Sequence, residues 1–380
     1  MKRIILVVAA LFLSANISAQ TPQKSVNLED MTFVRQSFVR NFYSSNKIMS
    51  QINMEGTDLF LPNSANLIIE NRCSADLPTF KQNGRTLDIT SAQKASAATI
   101  RVGAFHPYFT YEVSIANIDN NEQAGIAFYP NSGQGKVIYI YYQNGKVVSK
   151  SLDNGEEKVL AEKEVKPAPV TKLRVQYTGV RFHVFSLYDD GSADLLYSVT
   201  NDMRAVESCI THSFGVFANL KKGSDVTLHK AEALLTCGTG QADSQIIQYS
   251  DGSPYIKDGR LYLCLTTRGF ERIFDSYQGI YSIDLASYEV RLEGALFFGK
   301  GNGIMYGFHA TKVVYDKEKE QWMVITTTHE DTHTLAWCST KADLSSGVHY
   351  LECTELVFPH SYTNNKGYNT EDPDFFYDAE

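Results

Sequence analysis

Between Ala98 and Ala233 the chain is a succession of short apolar-alternating stretches with turn chemistry between them, and this constrains the fold most. Phe109–Ile115 alternates, and Ala124–Tyr129 follows the polar stretch Asn117–Asn121. Val137–Tyr142 runs into Asn144-Gly145, a strong hairpin signal, before Val147 and Val148. Leu173–Tyr177 and Phe182–Tyr188 come next. The turn Asp189–Ser192 leads into Leu195–Val199, and Phe214–Ala218 and Val226–His229 complete the series. Strands at roughly ten-residue spacing predict an antiparallel β-sandwich. No sustained helical period appears; only Glu29–Met49 is ambiguous between a short helix and an N-terminal strand.

The first twenty residues carry a different signal. Lys2 and Arg3 precede the apolar run Ile4–Leu13, and small polar residues follow to Ala19 and Gln20. That layout predicts a secretory signal peptide over 1–19, and hence a periplasmic or secreted protein. The apolar run is shorter than the roughly 20 residues a spanning helix needs. The net charge of −8 comes without a basic cluster, so nucleic acid and membrane are not expected partners. Six cysteines in an exported chain permit disulfides, but none has CxxC spacing, so no zinc site is expected. The 22 Tyr and 21 Phe fit β-structure. No nucleotide or nucleophile-elbow fingerprint occurs, and no cofactor is expected.

The order Tyr111–Ile115, Ala124–Phe128 and Leu173–Phe182 resembles a concanavalin-A-like jelly roll of the laminin-G type. Such modules accompany many secreted glycoside hydrolases. The resemblance implies either a carbohydrate-binding face or a structural partner for a neighbouring domain. Residues 20–237 are assigned to this sandwich, with the small and polar run from Cys237 as the linker.

Beyond it three segments look alike. Ser253–Leu265, Ala310–Ile325 and Asp372–Glu380 each open a strand, turn on charged residues, and start about sixty residues apart. They resemble the five-bladed propeller of the glycoside hydrolase clan that includes family 43. The fold class expected is therefore all-β, a jelly roll followed over 238–380 by an incomplete propeller of two to three blades. A propeller closes only when its last blade meets its first, so the chain reads as the front of a longer protein.

Glycoside hydrolysis needs one protonated and one ionised carboxyl group. The resemblance implies inversion, with an Asp base on the first blade, an Asp tuning the acid, and a Glu acid. Ser253 stands where the family usually has Asp, so Asp251 is the candidate base. Glu371-Asp372-Pro373 fits both an Asp-Pro and a Glu-x-Pro element. Neighbours on a strand face opposite ways, so one of the two lines a pocket, and Asp372 is favoured. Arg268, His309, His329 and His333 are candidate sugar ligands; His329-Glu-Asp-Thr-His333 is not a zinc-protease spacing. The function expected is acid/base hydrolysis of a glycan. The alternative is non-catalytic carbohydrate binding by the sandwich. No metal is assigned, and the oligomeric state is open.

Overall fold

The computed structural model describes residues 47–51, 67–69, 78–83, 86–91, 94–118, 121–165, 170–189, 192–236, 240–269, 276–328, 334–356 and 370–375. The candidate signal peptide, Cys73, Cys237, His329 and His333 lie outside them. The described chain is almost entirely β-strand; one helical turn, Ser208–Thr211, interrupts it.

Two large antiparallel sheets hold the strands up to Leu235. In spatial order the first runs Ala193–Thr200, Arg181–Leu187, Val170–Tyr177, Thr110–Ala116, Asp225–Leu235, Thr86–Thr90 and Thr79–Asn83, with Lys47–Gln51 also paired to Asp225–Leu235. The second runs Glu156–Glu164, Lys146–Asp153, Val137–Gln143, Gln123–Pro130, His212–Leu220, Ser96–Ala104 and Leu67–Ile69. Alternation selects the inward faces. Tyr111, Val113 and Ile115 on one strand and Leu173, Val175 and Tyr177 on its neighbour are all buried.

Aromatic rings fill the space between these sheets. Phe105 and Tyr177 meet edge to face at 4.9 Å, Phe128 and Tyr177 at 5.0 Å, and Tyr111 and Phe214 tilt together at 4.7 Å. Each such side chain contributes about 1.5–3 kcal/mol by leaving water. The predicted Asn144-Gly145 turn forms with both residues at positive φ, 51° and 73°, as a type I′ hairpin requires. Asn154-Gly155 repeats it.

Two smaller sheets hold the strands from Gly240 onward. One has the order Gly240–Ile246, Arg260–Arg268, Ser276–Asp284, Val290–Gly299 and Gly347–Glu352, with Ile256–Lys257 against Arg260–Arg268. The other has Gln248–Tyr249, His309–Asp316, Gln321–Thr327, Leu335–Thr340 and Thr354–Leu356. They exchange strands: Gln248–Tyr249 crosses to lie parallel to His309–Asp316, and Gly347–Glu352 returns to lie parallel to Val290–Gly299. That return needs glycine at close approach, since a Cβ on Gly294 would stand 2.1 Å from the Gly347 carbonyl oxygen. Cys264, Ile280, Phe298, Phe308, Val313, Trp322 and Val324 belong to their shared core. Among the described residues no sheet closes on itself.

The large and small sheets are bound together. His106 and Tyr108 lean on Phe297 at 4.7 and 4.9 Å, and Met305 N–H donates to the Arg204 carbonyl at 2.7 Å. Lys47 Nζ donates to the Glu293 carbonyl at 2.6 Å.

Candidate functional site

The two small sheets share a local irregularity at the start of their edge-side strands. Pairing of Gly240–Ile246 with Arg260–Arg268 slips between Ala242 and Gln245. Pairing of His309–Asp316 with Gln321–Thr327 slips between His309 and Lys312. Each slip holds one left-handed residue, Asp243 at φ 52° and Ala310 at φ 49°. Asp372, before Pro373, is left-handed too, at φ 54°. A non-glycine residue in this region costs on the order of 1–3 kcal/mol, and a bulge re-aims the side chains around it.

Aligned on these residues, the three segments fall into one register: Ala242–Ile247, His309–Val314 and Glu371–Phe376. Each puts the left-handed residue second, polar or proline residues third and fourth, and apolar residues fifth and sixth. The stretch that matches this register in the first small sheet begins at Ala242, ahead of Ser253. Its carboxylate is Asp243, inside the stretch read as linker.

Asp243 reaches Arg268, with Oδ2 3.7 Å from Nη2. That oxygen is buried and accepts no hydrogen bond. The Arg268 charge offsets part of its lost hydration, and with no hydrogen bond accepted it is left as an acceptor for a ligand hydroxyl. Gly240–Ile246 also packs beside His309–Asp316, so the two bulges are neighbours.

Buried polar side chains brace the second bulge. Thr266 Oγ1 accepts from the Ala310 N–H at 3.0 Å, tying one sheet to the other. Gln278 Nε2 donates to Thr266 Oγ1 at 3.2 Å and to the Phe308 carbonyl at 2.6 Å. The Thr311 and Thr326 hydroxyls are 2.7 Å apart, and Thr326 also donates to the His309 carbonyl at 3.2 Å. Two positions past Ala310, the buried Lys312 pairs with Asp374 at 2.9 Å. Asp374 stands two positions past Asp372, the equivalent place in the next copy.

Of the residues singled out from sequence, Arg268 and His309 stand at this strand-start edge, beside the first and second bulges. Glu371 and Asp372 are exposed and precede the buried Pro373. Asp251 lies elsewhere. Its Oδ1 caps a surface turn, accepting from Ser253 N–H at 2.8 Å and Ser253 Oγ at 2.5 Å, and these bonds hold its carboxyl below the usual range. The adjoining Ser250 N–H bonds the Tyr315 carbonyl, roughly 17 Å along the strand from Ala310. Among the described residues no group of three His, Cys, Asp or Glu is gathered that could hold a metal ion. No helix there is long and apolar enough to cross a membrane.

Sequence reasoning missed Asp243, Lys312 and Asp374. The signal that carries them is the shared polar-then-apolar register, visible once the copies are aligned on the left-handed residue.

No protein-family model matches the chain, and a search of curated proteins finds no match. Among solved structures it is similar to a GH43 protein from Bacillus licheniformis, at 15% identity and a TM-score of 0.33 over 41% of this chain and 34% of that one. The chain therefore spans about a third of that protein's length. It is also similar to the carbohydrate-binding module CBM66 from Bacillus subtilis, at 17% identity and a TM-score of 0.30 over 45% of this chain and 97% of that one. A GH16 endo-β-1,3(4)-glucanase has a TM-score of 0.36 at 8% identity, over 51% of this chain and 92% of its own. The structural neighbours thus include glycoside hydrolases and a carbohydrate-binding module, each a partial likeness.

Proposed function

We propose that this is a carbohydrate-directed protein of glycoside-hydrolase type, working outside the cytoplasm on polysaccharide-derived glycans, with its site at the strand-start edge of the two small sheets. The observation that carries the reading is the threefold recurrence of a left-handed residue at that edge, with carboxylates at the first and third copies. Asp243 is the candidate base, held beside Arg268 with one oxygen that accepts no hydrogen bond. Glu371 is the candidate acid, with Asp372 beside it on the exposed side of Pro373. In this reading Asp243 replaces Asp251, which is engaged in its own turn. Ala310 stands where the register would put a third carboxylate, and two positions on Lys312 places a cation against Asp374. The small sheets are read as two blades of a propeller.

The test is to incubate the purified chain with plant and host oligosaccharides, measuring binding calorimetrically and products chromatographically. Hydrolysis that is lost in both Asp243→Asn and Glu371→Gln, with binding kept, supports the reading. Hydrolysis indifferent to both substitutions overturns the assignment of the pair.

A second reading, glycan binding by the sandwich without catalysis, is favoured by one feature. Tyr129 lies in a cluster with Tyr139, Tyr141 and Phe217 on the sheet face turned away from the aromatic core, and its buried hydroxyl has no hydrogen-bond partner. Binding without turnover, lost in Tyr129→Ala and kept in Asp243→Asn, supports this alternative.

A further inference from the structure

We propose that Cys338 and Cys353 are the two halves of a disulfide that staples the two small sheets where the chain crosses between them. The register makes the case. Thr354–Leu356 pairs antiparallel with Leu335–Thr340, matching Leu335 to Leu356, Ala336 to Glu355 and Trp337 to Thr354. The next pair out is Cys338 and Cys353. Directly opposed residues on antiparallel strands have Cα atoms about 4.5–5.5 Å apart, within the 4.4–6.8 Å span of a disulfide. The Cys353 N–H is engaged elsewhere, bonding the Gly299 carbonyl at 2.9 Å. No bond from that group therefore widens the pair.

The side chains also point the right way. Both pack on the core shared by the two sheets, and their thiols contact one another. Among the described residues Cys209 and Cys264 have no such counterpart: Cys264 is wholly buried and hydrogen-bonds the Gln278 side chain at 3.8 Å.

The position gives the bond a job. Glu352 still belongs to the first small sheet, paired with Gly299, while Thr354 already belongs to the second. Cys353 is the hinge between them. A bond to Cys338 would close a loop holding the whole strand Gly347–Glu352, fixing the exchange that interlocks the sheets.

Formation removes two protons and two electrons from the thiol pair as the S–S bond forms. The acceptor is a disulfide of a thiol–disulfide exchange partner, whose own S–S bond breaks to two thiols. The neighbouring Cys338 thiol and, after it, burial hold the Cys353 thiol well above its ordinary value. The pair therefore oxidises slowly without such a partner, and once formed the bond is a poor target for reduction, because a high-pKa thiolate leaves reluctantly.

The proposal is independent of the strand-start site. The test equilibrates the purified chain with mixtures of oxidised and reduced glutathione, blocks free thiols with N-ethylmaleimide, and maps peptides by mass spectrometry. The expected result is a linked Cys338–Cys353 peptide and a melting temperature that drops by roughly 5–10 °C on reduction. In Cys353→Ser the melting temperature should be indifferent to reductant. Both thiols blocked at every ratio, a different pairing of Cys353, or a reductant effect that survives in Cys353→Ser would each overturn it. Whether the cell exports the chain is read separately, from the N-terminus of the cell-made protein.

Discussion

Lys312 Nζ lies 2.9 Å from Asp374 Oδ1, and each stands two positions past a left-handed residue, Ala310 and Asp372. The partners differ in their surroundings: the lysine side chain is 4% exposed and the carboxylate 52%. The pair therefore anchors a surface residue by a buried charge.

That asymmetry makes the two truncations unequal. Lys312→Met leaves Asp374 facing water and should cost under about 1 kcal/mol. Asp374→Asn leaves a buried ammonium without its counter-charge and should cost roughly 2–4 kcal/mol. Urea unfolding of the two variants measures the difference. Equal costs would show that Lys312 finds another partner when Asp374 is removed.

Asp243 separates stability from function. Its backbone is left-handed and one of its oxygens is buried without a hydrogen bond, so the fold gains little from an aspartate there. Asp243→Gly relieves both and should raise stability by about 1 kcal/mol while abolishing hydrolysis. Asp243→Ala keeps the backbone strain and should gain less. Loss of stability in the glycine variant would mean that the Arg268 contact matters more than its 3.7 Å separation suggests.

The β-strands before Leu235 were legible because alternation, turn residues and burial all act locally. Tyr111, Val113 and Ile115 announce their inward face by period alone. The repeat was legible in texture but not in register. Ser253-Pro254 resembled a blade start, yet Asp251–Ser253 closes on itself as a turn. Asp243 was hidden for the opposite reason: Gly240, Gln241, Asp243 and Ser244 look like a linker, and only pairing with Arg260–Arg268 makes them a strand. Strand exchange between the small sheets rests on contacts remote in sequence, such as Gly294 with Gly347, which no local pattern announces. The Cys338–Cys353 pair is likewise set by register across strands and not by spacing along the chain.

His106 should make the junction between large and small sheets sensitive to acid. It is buried against Phe109 at 4.2 Å and Phe297 at 4.7 Å, and its Nδ1 accepts the Tyr108 N–H at 3.3 Å. Burial pushes its pKa down from 6.5 to about 3. Below pH 6.5 the unfolded chain takes up a proton that the folded chain refuses until about pH 3. Stability contributed by the neutral ring is therefore complete above pH 6.5 and falls by up to roughly 1.4 kcal/mol per pH unit below it. His106→Gln keeps an acceptor without the titration. Denaturant midpoints from pH 7.5 down to 4.5 should fall less steeply in that variant than in the parent. Parallel curves would assign the acid sensitivity to other groups.

The returning strand gives a steric prediction. Gly294 has ordinary extended backbone, so its requirement is for space, because the Gly347 carbonyl oxygen lies where a Cβ would stand. Gly294→Ala must push Gly347–Glu352 away from Val290–Gly299, at a cost of about 1–3 kcal/mol or more. Gly301 is the useful contrast: its φ is 74° and nothing lies within 4 Å of where a methyl would stand, so Gly301→Ala should cost only about 1 kcal/mol of backbone strain. Hydrogen exchange separates the mechanisms. In Gly294→Ala the amides of Gly347–Glu352 should lose protection ahead of the two large sheets, and in the reduced protein Cys353, next along the chain, should react faster with maleimide. In Gly301→Ala both should stay as in the parent. Uniform loss of protection in Gly294→Ala would mean that the parallel pairing is no weaker than the rest of the fold.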